Sequence, residues 1–287
     1  MKIKNYLLFG FFSVILCCSN QYKTNYSFFV AGHTYGKPGR TEFGLYPEFK
    51  NKFKFINDDK NIKLGFLTGD IVRHASKKSW DAVDDDLSKL NPKIYFSRGN
   101  HDGGLSFFEK RYGKSYKSFI QGQDLHIILD SNLGEWNITG IQLDFLKTSI
   151  SDLDNVNNIF IYVHHIIWWN KNEFYAPYMN SRDRMSDNLT FWTEIAPLLK
   201  ETKKPVYIFA GDVGAFDHKN PKYQSFSYVK KENIHLITSG MGGGKKDNFI
   251  IVDVLNNCNV KFRLIPLNGD DNNELGKLED YKQIIRE

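Results

Sequence analysis

The chain has 287 residues, a formal net charge of +5, 41% hydrophobic and 15% aromatic residues, and three cysteines. That is enough apolar material for a sizeable core without disulfide staples. Two of the positive charges, Lys2 and Lys4, belong to a targeting-type segment, so about +3 remains on the rest, and no strong basic character argues for nucleic-acid binding.

At the start, Lys2 and Lys4 precede an apolar run from Tyr6 to Leu16 that is too short to span a bilayer and reads as a signal peptide. The run Ile15-Leu16-Cys17-Cys18-Ser19 resembles a bacterial lipobox, with Cys18 a better lipid acceptor than Cys17. An ordinary cleaved signal or an uncleaved anchor is the other reading. The expected organisation is a signal peptide over 1–17, a lipidated tether over 18–26, a catalytic-type domain over 27–268 and a peripheral tail over 269–287. The lipid would attach the protein to the bacterial cell envelope. Lipidation of Cys18 leaves Cys258 without an intrachain disulfide partner.

Residues 27–31 and 63–68 are buried-strand runs, each ending in glycine. Ser76 N-caps a helix that turns Trp80, Val83, Leu87 and Leu90 to one face and Asp84, Asp85 and Asp86 to the other. A strand follows at 93–97 and another at 125–129, and Thr139 caps a helix carrying Leu143, Leu146, Ile150 and Leu153. Residues 159–163, 206–210 and 234–238 repeat the strand pattern, and 249–254 with 260–265 form a closing hairpin through Asn256-Asn257. Trp168-Trp169, with Phe174, Tyr175 and Tyr178, make an aromatic loop over the pocket mouth that either stacks a sugar or nucleoside or packs as a lid. Gly240 to Gly244 is a tight turn near the site, and residues 275–285 form a peripheral helix.

The polar residues collect at the carboxyl ends of these strands: Gly32-His33-Thr34-Tyr35-Gly36, Gly69-Asp70-Ile71-Val72-Arg73-His74, Arg98-Gly99-Asn100-His101-Asp102, His164-His165 and Gly211-Asp212-Val213-Gly214. In sheets whose strands alternate with helices, ligands bind outside the carboxyl strand ends. Asn supplies a neutral oxygen to a metal, His moves a proton or holds a phosphate oxygen, and Asp orients His.

In this order the motifs resemble the calcineurin-like metallophosphoesterase family, over roughly Phe28 to Phe216. The resemblance implies an α+β or α/β fold of four layers, with two mixed sheets stacked as a β-sandwich and flanked by helices. It implies a metal-dependent phosphoester hydrolase in which Asp70 reaches both metal positions, Asn100 and His164 ligate the second, and His101 is the phosphate-contacting acid with Asp102 behind it. His165 is secondary. Two motifs depart from the family pattern. His33 and Tyr35 stand where Asp and His are usual, Asp212 and Gly214 stand where two His are usual, and Arg73 replaces a carboxylate or amide. The second position keeps Asp70, Asn100 and His164, and Asp212 is a competent exchange for imidazole. The first keeps His33 and Asp70.

One divalent ion per chain is therefore expected, with Mn, Fe, Zn and Mg not distinguished. Arg73, Arg98, His33 and His101 are expected near the pocket, supplying charge that a second metal would otherwise give. The substrate is a small phosphorylated molecule, monoester or diester. The alternative is a catalytically degenerate protein that binds a phosphorylated glycan or lipid.

Overall fold

The computed structural model describes residues 22–169, 179–181, 189–216 and 224–284. The signal peptide, Cys17, Cys18, Phe174, Tyr175 and Tyr178 lie outside the described residues.

Three strands open the first sheet: β1 (Thr24–Ala31), β2 (Ile62–Thr68) and β3 (Lys93–Ser97), all parallel. β1 begins three residues inside the stretch assigned to a tether. It is apolar on both faces because both are covered: Phe28 and Val30 face the second sheet, and Phe29 and Ala31 face helices. Those helices are α1 (Pro47–Asn51), α2 (Phe53–Asp58), α3 (Lys77–Leu87) and α4 (Leu105–Tyr112). Ser76 caps α3 as expected, its hydroxyl accepting the Ser79 amide at 3.0 Å. Trp80 and Val83 are fully buried beneath it.

The second sheet holds β4 (Lys117–Gln121), β5 (Asp124–Ile128), β6 (Asn158–Val163), β7 (Val206–Ala210), β8 (Phe226–Lys231) and β9 (Ile234–Ser239). β5, β6, β7 and β9 run parallel, with β4 and β8 antiparallel at either side. Helices α5 (Gly140–Ser149) and α6 (Ala196–Glu201) cover its outer face. The hairpin β10 (Asn248–Leu255) and β11 (Val260–Pro266) joins the first sheet beside β1. The orders are β11-β10-β1-β2-β3 and, in a seven-stranded sheet, β12-β8-β9-β7-β6-β5-β4, where β12 is Lys282–Ile284. Two mixed sheets lie face to face between two helical layers, as the resemblance implies.

Between the sheets the core is aromatic. Phe66 stacks on Tyr162 with ring centroids 3.7 Å apart, and Phe28 meets Phe160 edge-on at 4.9 Å.

Three expectations are corrected here. Of the expected helix over 275–285, the described residues 275–284 form instead a 3₁₀ turn (Leu278–Tyr281) leading into β12, which pairs in parallel with β8. The tail is not peripheral either, because Leu275 and Leu278 are buried in the core between the sheets. An open β8 edge offers unpaired backbone groups, and pairing there outweighs helix formation in so short a segment. Trp168 is also no pocket-mouth residue. It is buried in the outer core of the second sheet with Trp169 against it, and its carbonyl accepts the Trp192 indole N–H.

Candidate metal centre

Because β1, β2, β3, β6 and β7 are parallel within their sheets, their carboxyl ends meet at one edge of the sandwich. The approach is close. A Cβ on Gly32 would lie 2.4 Å from the Gly211 Cα, and one on Gly69, whose φ is +82°, would lie 2.4 Å from His164 Nδ1. Only glycine lets the turns after β1, β2 and β7 close on each other. His33 and Asp70 themselves hold φ of +53°, a left-handed conformation that costs energy for side chains with a Cβ. The two turns stabilise it mutually: the His33 amide donates to the Gly69 carbonyl and the Tyr35 amide to the Asp70 carbonyl, each at 3.1 Å.

Four donor groups converge on one point. His164 Nε2 lies 3.1 Å from Asn100 Oδ1, 3.3 Å from Asp70 Oδ1 and 3.7 Å from Asp212 Oδ1. His164 Nδ1 donates to the Thr68 carbonyl at 2.9 Å. That bond fixes the ring and turns Nε2 inward. On the other side of Asp70, His33 Nε2 is 3.8 Å from Oδ2, while its Nδ1 donates to the Met241 carbonyl at 2.7 Å. The Gly240–Gly244 turn thus reaches the site through a carbonyl. The Gly242, Gly243 and Gly244 amides are directed at the Asp247 carboxylate instead of a ligand.

His33, Asp70 and Asn100 reach the wall of a cavity of about 270 Å³, which Tyr35, His101 and Ser181 also line, while His164 and Asp212 are fully buried behind it. Ser181, which no sequence motif marks, donates its hydroxyl to Asp212 at 3.1 Å.

Burial controls the charges. It pushes His33 down to about 4, so this imidazole is neutral with a bare Nε2. Burial also lifts Asp212 to about 7, against the pull of His164. Burial acts against the Asp70 carboxylate too, but His164, His101 and His33 outweigh it and hold its pKa below the usual range. His164 is the counterpart: burial disfavours its charge, and Asp70 and Asp212 overcome that and raise it. The donor set suits a divalent ion. It comprises oxygen and imidazole ligands, carboxylates to neutralise charge, and both imidazoles fixed by carbonyls in the metal-binding tautomer. In addition, ligand atoms of His164, His165 and Asp212 lie within 4.8 Å of one another, and the buried His165 Nε2 has no hydrogen-bond partner among the described residues.

A family model for calcineurin-like phosphoesterases matches residues 32–240. The chain belongs to the calcineurin-like phosphoesterase family. Members of this family typically bind divalent metals, in keeping with the donor set above. Among solved structures, the chain is similar to Chaetomium thermophilum Vps29, with a TM-score of 0.38 and 11% identity over 84% of this chain and 95% of that one. It is also similar to a putative 5′-nucleotidase from Staphylococcus aureus in complex with alpha-ketoglutarate, with a TM-score of 0.43 and 12% identity over 85% of this chain and 55% of that one. No curated protein matches it.

Within this calcineurin-like phosphoesterase the expected ligands Asp70, Asn100, His164, Asp212 and His33 do come together, and His101 stands on the cavity wall. Three expectations about the remaining site residues are corrected. Asp102 is not behind His101. Its Oδ1 accepts the Ile71 and Val72 amides at 2.8 and 3.1 Å, and its Oδ2 accepts the Gly99 amide at 2.7 Å. His101 Nδ1 donates instead to the Arg73 carbonyl at 2.7 Å. Arg98 is turned away and buried, with its Nε on Asp130 at 2.7 Å and an Nη on the Gly103 carbonyl at 2.8 Å. Arg73 lies in a neighbouring cavity, where its guanidinium donates to the Arg40 carbonyl.

A pH dependence follows. A ligating Asp212, and a ligating His164 whose pKa its carboxylate neighbours raise, must each lose a proton first, so metal affinity is expected to rise with pH through about 7. Asp212 binds its proton more tightly in the fold than in the unfolded chain. The metal-free domain therefore loses this contribution to stability as pH rises from 3.8 through about 7, and added divalent metal stabilises it most at the alkaline end. Thermal unfolding with and without Mn²⁺ between pH 5 and 8.5 checks this. A metal-induced shift that shrinks as pH rises would remove Asp212 from the ligand set.

Proposed function

We propose that this chain is a metal-dependent phosphoester hydrolase of the cell envelope, acting on a small phosphorylated substrate. The observation that carries it is the convergence of Asp70, Asn100 and Asp212 oxygens on the buried His164 Nε2, with Asp70 and Asn100 opening onto a cavity that His101 also lines. The envelope location rests on the lipobox-like run before Ser19. Asp70, Asn100, His164 and Asp212 would hold the ion, with His33 on the far side of Asp70. A divalent ion there supplies positive charge for the phosphoryl oxygens and lowers the pKa of water.

His101 supplies the proton chemistry. A carbonyl only accepts, so Nδ1 carries the hydrogen given to Arg73 and Nε2 is the atom that exchanges a proton. The water oxygen would bond to phosphorus as the bond to the leaving oxygen breaks; the leaving oxygen would take the proton carried on His101 Nε2, and the proton lost by the water would return to that nitrogen, so the imidazole ends as it began. The Asp70 carboxylate also accepts the His101 amide at 3.2 Å, which ties the proton donor to the ligand set.

One observation favours the second reading, a non-hydrolytic binder of a phosphorylated glycan or lipid: among the described lining residues of the metal cavity there is no guanidinium. The purified protein with Mn²⁺, Zn²⁺ or Fe²⁺ and a panel of phosphomono- and diesters separates the two. Hydrolysis of at least one ester is expected, with His101→Ala lowering kcat by about 10²- to 10⁴-fold and changing KM little. Binding of such ligands without turnover under any metal would establish the binder.

A further inference from the structure

Beside the metal cavity, across the ring of Tyr35, lies a second cavity of about 250 Å³. Tyr35 lines both. The two chambers together reach the range of roughly 300–1,000 Å³ usual for small-molecule sites. We propose that the second chamber is the leaving-group subsite of this hydrolase, and that it takes a planar aromatic group carrying its own negative charge, as the AMP portion of ADP does. The proposal rests on the hydrolase reading for the word "leaving". The chemistry of the chamber stands apart from it.

The chamber lies on the leaving-group side because of His101. Its ring centroid is 5.3 Å from that of Tyr35 and 6.4 Å from that of His74, so it stands where the two chambers meet. An oxygen protonated by His101 carries its substituent toward Arg73 and His74.

The walls define the class of occupant. Phe43 and Tyr35 offer aromatic rings and Val72 an apolar floor. Phe43 is 47% exposed, and a planar group in the chamber would cover ring surface that Lys78, which sits over the ring, leaves to solvent. Around these surfaces the charge is positive. Beyond its bond to the Arg40 carbonyl, Arg73 has further guanidinium nitrogens with no partner among the described residues. The His74 side chain is exposed, and Lys78 Nζ rides 4.5 Å above the Phe43 ring. The carboxylate at the rim, Glu42, is paired with Arg40 Nε at 3.4 Å. A guanidinium with free donors beside an aromatic platform suits a phosphate attached to a flat ring system.

The test is calorimetric binding of the α,β-methylene analogue of ADP, which cannot be cleaved between its phosphorus atoms, compared with inorganic phosphate, using the full-length protein loaded with Mn²⁺. The analogue is expected to bind at least tenfold tighter than phosphate. Phe43→Ala should weaken the analogue roughly tenfold and leave phosphate unchanged, with Phe43→Trp restoring affinity. Arg73→Met should weaken it by a similar factor. Equal affinity for analogue and phosphate, or indifference of the analogue to both Phe43→Ala and Arg73→Met, overturns the subsite even if p-nitrophenyl phosphate is hydrolysed. Absence of hydrolysis of every ester, with Phe43-dependent analogue binding intact, refutes the hydrolase and leaves the aromatic-anion site standing.

Discussion

Asp70→Asn is expected to reduce divalent-metal affinity by well over 100-fold and to bring phosphoesterase turnover to background. Loss of a partner that merely orients a ligand costs about 10- to 100-fold in affinity, and Asp70 does more than orient. Its two oxygens face the two imidazoles, Oδ1 toward His164 at 3.3 Å and Oδ2 toward His33 at 3.8 Å, and it also accepts the His101 amide. An amide in its place offers one acceptor and no charge, so the buried site can no longer neutralise a cation. Equilibrium dialysis followed by elemental analysis measures this directly. Wild-type metal content in the variant would show that the ion sits elsewhere, for instance on His164, His165 and Asp212 without Asp70.

Asp102→Ala is expected to act on the fold. Its carboxylate is fully buried and takes three backbone amides from two different turns, those of Ile71 and Val72 after β2 and that of Gly99 after β3. Removing it leaves three amides unsatisfied, a loss of at least about 3 kcal/mol, or roughly 6–12 °C in melting temperature for a domain of this size. Burial, with repulsion from Asp70, lifts its pKa to about 6 while those amides oppose the shift. The native group therefore spends most of its time ionised above that pH. Denaturant unfolding decides the matter. If Asp102→Ala keeps wild-type stability but loses the proton-dependent limb of the rate profile, Asp102 works through His101 after all.

The difference between Asp70 and Asp102 marks the limit of what the sequence reveals. Buried parallel strands read as unbroken apolar runs because both faces are covered, and the turns at their ends are punctuated by glycine. That is why Phe28 to Ala31, Leu64 to Thr68 and Ile159 to Val163 were legible, and with them the edge where Asp70, Asn100, His164 and Asp212 gather. Which way a side chain leaves a tight turn is not written in the letters. His101 and Asp102 are neighbours, yet one faces the cavity and the other faces the backbone behind it. Arg98 is likewise diverted by Asp130, a residue 32 positions away that no local pattern connects to it. Edge strands were missed for a related reason: β4 is a five-residue strand with alternate residues exposed, and β12 exists only because β8 has an open side.

β1 carries one more consequence. Its eight residues run from Thr24 to Ala31 and end at the metal centre, so the chain enters the sandwich at the opposite pole, about 25 Å from the ligands at 3.3 Å of rise per residue. Whatever precedes Thr24 is fastened to the back of the molecule. An attachment made through Thr24 therefore loads the pole opposite the ligands and leaves the cavity mouth clear.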